Sequence, residues 1–218
     1  MPFSEHSIGN QDALLNAEAA DAHPIDLFAE RLQELEVSMQ KLESQFGLQS
    51  GERAVVVNPA RQELYVVQDR EIQKMYTIST SAKGLGTAKG SGQTPIGTHR
   101  IAKKIGDNAP KGAVFKARKL TGHEVSEDEY TNGQAAPKTL TRLLWLSGLE
   151  PGVNTGEGID THERYIYIHG TNQEQRLGVP SSVGCIRMGN QEVIELYNLV
   201  HEGALVEIEN KEYFPNKK

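Results

Sequence analysis

The chain has 218 residues, 37% of them hydrophobic and 24% charged, with a formal net charge of −6. That length holds one good-sized domain with an appendage, and the composition is ordinary for a globular protein. The acidic balance argues against nucleic acid or an anionic membrane as partner. The single cysteine, Cys185, rules out an internal disulfide.

Residues 1–23 are polar and acidic, and they read as a disordered N-terminus. Their longest apolar run is Ala13-Leu14-Leu15, with no basic n-region or cleavage pattern, and no stretch of the chain is long and apolar enough to span a membrane. The expectation is a cytoplasmic protein; for a trimmed chain the alternative is the periplasm.

Residues 24–47 are predicted to form one amphipathic helix. Ile25, Phe28, Leu32, Leu35, Met39, Leu42 and Phe46 recur at alternating steps of three and four, a heptad seam, with Pro24 suited to the first turn and Gly47 to the exit. The stripe serves either a homodimer, with Arg31 and Glu36 pairing between helices, or docking on the protein's own body.

From Ala54 the period becomes that of strands. Ala54–Pro59 and Glu63–Val67 flank a polar turn and predict a hairpin, and Met75–Ser81 predicts a third strand. The glycine-rich 82–92 stretch lacks a G-x-G-x-x-G pattern and a following helix, so it reads as a substrate-side loop rather than a phosphate cradle. Thr94-Pro95-Ile96-Gly97 makes a tight turn into a strand whose His99 is expected at the surface or a strand edge. Residues 103–142, polar and broken by Pro110 and Pro137, are expected to form a long excursion over the site, with Phe115 and Tyr130 as candidate covers, although core packing is the expectation for Phe115. Leu143-Leu144-Trp145-Leu146 reads as a buried strand. His162 and Glu163 lack the further ligands a metal needs, so no metal and no cofactor is expected.

Tyr165-Ile166-Tyr167-Ile168-His169 alternates as a half-buried strand and delivers a histidine at its end. Cys185 follows sixteen positions later, in Ser181-Ser182-Val183-Gly184-Cys185-Ile186-Arg187-Met188, after a turn-rich connection that can bring the chain back. A thiol there is either buried filler or a nucleophile with a base, since a free thiol near pKa 8.5 needs an imidazole to take its proton. Gly184 lets the backbone approach a carbonyl, the Gly184 and Cys185 amides are candidate oxyanion donors, and Arg187 is a candidate carboxylate anchor. Asn190 is expected to cap a helix over 191–201, and Ala204–Ile208 to form a last strand.

The run from His169-Gly170-Thr171 to Ser182-Val183-Gly184-Cys185-Ile186-Arg187-Met188 resembles the signature of the L,D-transpeptidase catalytic (YkuD) family. So do Gln93-Thr94-Pro95-Ile96-Gly97-Thr98 and Leu146-Ser147-Gly148-Leu149-Glu150-Pro151-Gly152. The resemblance covers residues 52–209 and leaves 210–218 as a polar tail. It implies a mainly β fold, a sandwich or barrel of mixed sheets with a C-terminal helix. It also implies a cysteine enzyme that cleaves the L,D bond before the terminal D-Ala of a peptidoglycan tetrapeptide or muropeptide. By matching positions Cys185 is the nucleophile, His169 the base and the Gly170 carbonyl the group orienting the imidazole, while Ser182, Val183, Gly184 and Arg187 shape the donor site. One departure stands out: the family usually has His where this chain has Val183, which implies weakened or altered donor binding. Hydrolysis to tripeptide (an L,D-carboxypeptidase of murein recycling) is the expected outcome. The alternatives are a periplasmic L,D-transpeptidase and an inactive stem-peptide binding module.

Overall fold

The computed structural model describes residues 24–130 and 136–213; the expectation of disorder for 1–23 falls outside them. A helix, α1 (Pro24–Phe46), precedes four strands: β1 (Arg53–Asn58), β2 (Glu63–Gln68), β3 (Glu71–Ser79) and β4 (Gly97–Ile105). There follow a short hairpin, β5 (Ala113–Lys116) and β6 (Lys119–Glu124), a single helical turn α2 (Glu127–Tyr130), and the long β7 (Thr139–Gly148). The chain ends with β8 (Tyr167–Thr171), β9 (Ile186–Met188), helix α3 (Asn190–Leu199) and β10 (Leu205–Ile208).

The strands pair in the order β4-β10-β1-β2-β3-β9-β8-β7-β5-β6, and β4 also pairs with β7. That extra pairing closes eight of the strands into a ring, which removes the exposed sheet edges such a sheet would otherwise present. The β1–β10 and β8–β9 pairs are parallel; the rest are antiparallel. The β5–β6 hairpin hangs from β7 outside the ring.

The apolar patterning of each strand follows from what covers it. Val55, Val57, Leu64 and Val66 face an inner core with Ile78, Leu144, Leu146, Ile168, Ile186 and Met188, where α3 adds Val193, Leu196 and Tyr197. The alternate residues Ala54, Val56, Tyr65 and Val67 face outward, yet they are buried under Leu35, Met39 and Leu42 of α1. β1 and β2 are therefore covered on both faces, which is why they read as continuous apolar runs rather than alternating ones.

The helix stripe is thus used within the chain. Arg31 pairs with Glu63 (3.0 Å) and Glu36 with Arg70 (2.6 Å), both on the sheet side rather than on a second helix. Three further sequence expectations are corrected. The 103–142 stretch is not a structureless cover: β4 continues to Ile105, the β5–β6 hairpin and α2 occupy its middle, and Tyr130 is buried, while Phe115 packs in a buried cluster as expected. His99 is fully buried, its ring nitrogens on the Gly97 carbonyl (2.8 Å) and Thr161 Oγ1 (3.0 Å), because it shares the inward face of β4 with the core residue Ile101 while Arg100 between them is exposed. Asn190 does not cap α3: Gly189 holds that position, its amide donating to Glu192 Oε2 (3.2 Å), and Asn190 is the first helical residue.

Candidate active site

β8 and β9 run side by side in parallel, with Ile168 opposite Ile186, His169 opposite Arg187 and Gly170 opposite Met188. Ile168 and Ile186 point into the core, so His169 and Arg187 share the outer face. Extending the register backward sets Cys185 against Tyr167, and the Tyr167 amide donates to Cys185 Sγ at 3.4 Å. The thiol in turn lies 3.6 Å from the Tyr165 carbonyl. Nucleophile and base candidates therefore share one face of the same strand pair, offset by two residues in the register.

His169 Nδ1 lies 2.7 Å from the Gly170 carbonyl. A carbonyl only accepts, so Nδ1 carries the proton and Nε2 keeps its lone pair. Glycine is required at 170 because a side chain there would collide with Asn190 Oδ1. Asn190 is buried behind the site, accepting from Thr141 Oγ1 (2.6 Å) and donating to the Thr171 carbonyl (2.7 Å). Thr141 is itself held at φ +68°, a left-handed conformation that a β-branched residue adopts only under constraint.

The turn before Cys185 is built from within. Gly184 has φ +128°, a value open to glycine and costly for any other residue. Ser182, 1% exposed, donates to the Cys185 carbonyl (2.5 Å) and accepts from the Gly184 amide (3.2 Å). Ser182 thus shapes the nucleophile turn rather than facing a substrate. Its bond also engages the Gly184 amide within the turn. From 90 residues upstream, Thr94 Oγ1 donates to the Gly184 carbonyl (3.0 Å) and accepts from the Ser81 amide (2.9 Å). Thr94 is how the Thr-Pro turn and the cysteine turn become one unit.

Arg187 is only 5% exposed and donates to Gln173 Oε1 (3.1 Å), so part of its donor fork is already engaged within the chain. Val183 is the opposite case, 74% exposed at the tip of the turn. Arg164, which the sequence reading missed, holds the glycine-rich loop through the Gly86 (3.2 Å) and Gln93 (2.6 Å) carbonyls. Trp145 is half-buried and stacks on His162 (3.8 Å between ring centres, 7° between planes), so it is less enclosed than a buried strand residue would be.

Burial pushes the Cys185 thiol up, against the pull of the Tyr167 amide and of the Arg187 and Arg164 charges. Burial likewise pushes His169 down to about 4, opposed by its bond to Gly170 and reinforced by Arg187. At neutral pH the two groups therefore stand as thiol and neutral imidazole.

The YkuD family, described as an L,D-transpeptidase catalytic domain, matches residues 52–208. The candidate L,D-transpeptidase YqjB of Bacillus subtilis (strain 168) is 26% identical over 156 residues, 72% of this chain and 70% of YqjB. Solved structures are more distant. The L,D-transpeptidase from Mycobacterium smegmatis is 17% identical with a TM-score of 0.42, the match covering 72% of this chain and 58% of that one. A mutant L,D-transpeptidase of Enterococcus faecium is 16% identical with a TM-score of 0.44, covering 73% and 50%. The chain thus spans between half and three-fifths of the length of these two solved relatives.

Proposed function

This chain belongs to the YkuD family of L,D-transpeptidase catalytic domains, and from that premise we propose that it is a cysteine acyl-transfer enzyme acting on peptidoglycan stem tetrapeptides. Cys185 Sγ attacks the carbonyl of the third residue while His169 Nε2 takes the thiol proton. The tetrahedral oxyanion is met by the Cys185 amide, and the same proton passes to the departing amine of the terminal D-Ala. The parallel β8–β9 register carries this reading, because it brings two residues sixteen positions apart onto one face. Water then releases the acyl group as a tripeptide, making the protein an L,D-carboxypeptidase; an amine acceptor would make it a transpeptidase instead. Turnover in ¹⁸O-water, with and without an added D-amino acid, separates these outcomes: ¹⁸O in the tripeptide marks hydrolysis, and an exchanged tetrapeptide marks transfer.

A second reading, a stem-peptide binding module, draws on a different observation. The thiol's hydrogen bonds go to Tyr167 and Tyr165 rather than to the imidazole. Tight binding of tetrapeptide with no change in its mass would favour that reading.

A further inference from the structure

Three residues in left-handed backbone conformations converge beside Cys185. Ala117 (φ +49°) and Arg118 (φ +66°) form the two-residue turn of the β5–β6 hairpin, between the paired Lys116 and Lys119. Such a turn needs positive φ at both central positions and is usually built from Asn and Gly. Here it is built from Ala and Arg. Tyr165 (φ +57°) is the third, a bulky side chain where the left-handed region is rarely tolerated, and its carbonyl faces the thiol of Cys185. Backbone strain of this kind persists where the surroundings hold it, and it concentrates at functional positions.

The strain puts one side chain in place. The Arg118 guanidinium packs over two neighbouring rings, 4.8 Å from the Trp145 centre and 4.7 Å from that of Tyr165, and donates to the Tyr167 hydroxyl at 3.2 Å. Trp145 is stacked from another direction by His162. Tyr165 and Tyr167 are the two residues whose backbone contacts Cys185 Sγ, so the guanidinium rests on the platform that carries the nucleophile. The two ring centres are only 5.8 Å apart, so both rings lie to one side of the guanidinium, and among the described residues the Tyr167 hydroxyl is the hydrogen-bond acceptor it meets, which leaves the rest of its five N–H groups for another acceptor.

The charge surroundings point the same way. Arg31, Arg61 and Arg70 each pair with glutamates, whereas among the described residues no carboxylate pairs with Arg118. Lys116 and Lys119, both exposed, add two cations to the same tip in a protein of net charge −6. Arg187 and Arg164, whose charges act on the thiol, are both engaged within the chain, Arg187 with Gln173 and Arg164 with the Gly86 and Gln93 carbonyls.

We propose that Arg118 is a specificity-determining residue whose free N–H edge reads a carboxylate of the peptide donor, so that donors carrying that carboxylate are preferred over their amidated counterparts. This rests on the acyl-transfer reading above and adds the substrate class: an anionic stem peptide held by a cation from the hairpin, not by Arg187.

The test compares kcat/KM for a tetrapeptide and for derivatives in which one carboxylate at a time is amidated. The enzymes are the parent protein, Arg118→Gln, and Lys119→Gln on the same hairpin. A charge-assisted bidentate contact predicts that one amidated donor loses about tenfold or more with the parent protein. Arg118→Gln lowers the acidic donor to the level of that amidated donor and erases the ratio between them, while Lys119→Gln preserves the ratio. Arg118→Lys, which keeps the charge but not the planar fork, restores part of it. A uniform fall across all donors in Arg118→Gln, with their ratios intact, would mean that the arginine only pins the hairpin, and would overturn the proposal. A parent protein that shows no amidation preference overturns it equally. Absence of turnover on every donor is a different failure: it removes the acyl-transfer reading itself, and the specificity role with it.

Discussion

At the scale of single residues, the surroundings hold Cys185 and His169 neutral, and this fixes how the pair must work. A thiolate–imidazolium pair would give a thiol reactive well below pH 7. A thiol pushed up by burial gives an alkylation rate that keeps climbing above neutrality, which iodoacetamide labelling across pH can read. A rate already on its plateau between pH 5 and 7 would contradict it. Because His169 is pushed down to about 4, its base form persists through mild acid, and kcat/KM should fall only near that value rather than near 6.5. Thr94→Val removes the donor to Gly184 and the acceptor of Ser81 in a buried site. The expected cost is about 1–3 kcal/mol in urea unfolding, with a fall in acylation rate beyond what the lost stability explains. Val183→His tests the family departure. The position is exposed, so the melting temperature should hold while KM for the tetrapeptide falls. The local part of this site was legible in the sequence, since the strand ending in His169 and the turn carrying Cys185 lie within one short segment. Thr94, Asn190, Arg164 and Arg118 were not, because each acts through a contact 16 to 90 residues away that no local pattern encodes.

At the scale of elements, α1 is held by a small apolar patch framed by charge. Leu35, Met39 and Leu42 supply the patch, and Arg61 pairs with Glu34 (2.5 Å) and Glu30 (2.7 Å). Lys41 bridges Glu150 (2.7 Å) and Glu207 (3.0 Å), and these carboxylates keep its ammonium charged despite burial. Exposed pairs contribute little singly, whereas a half-buried network contributes more and is screened less by salt. Two outcomes follow. Leu42→Ala, at a fully buried position, should cost about 2–5 kcal/mol. High salt should raise amide exchange in α1 while β1 and β2 beneath it stay protected; equal loosening of helix and sheet would contradict this account. The heptad spacing predicted the helix and its apolar face correctly. It could not say which surface the face would meet, because seam and docking stripe share one periodicity.

At the scale of the whole molecule, two buried imidazoles set the acid stability. Burial pushes both His99 and His169 down to about 4, from an ordinary value near 6.5. The unfolded chain takes those protons first, so the stability they confer is complete above about pH 6.5 and is lost as pH falls toward 4. At about 1.4 kcal/mol per pH unit, each contributes at most roughly 3.5 kcal/mol. Glu207 and Glu192, pushed up by burial, act in the opposite direction and offset part of this. The urea midpoint should therefore drop between pH 7 and pH 5, and a flat or rising midpoint would contradict the buried neutral pair. Most strands of the ring were legible from their apolar runs and turns. Its closure was not, since the β4–β7 pairing joins segments some 40 residues apart with the β5–β6 hairpin between them. His99 looked like a surface residue for the same reason: its burial comes from that closure.

The central claim is that Cys185 performs acyl transfer on a stem tetrapeptide, and mass spectrometry of a diaminopimelate-containing tetrapeptide after incubation tests it most directly. The account predicts loss of one D-Ala with the parent protein and none with Cys185→Ala. A tetrapeptide unchanged by the parent protein, or shortened equally by both proteins, would contradict it.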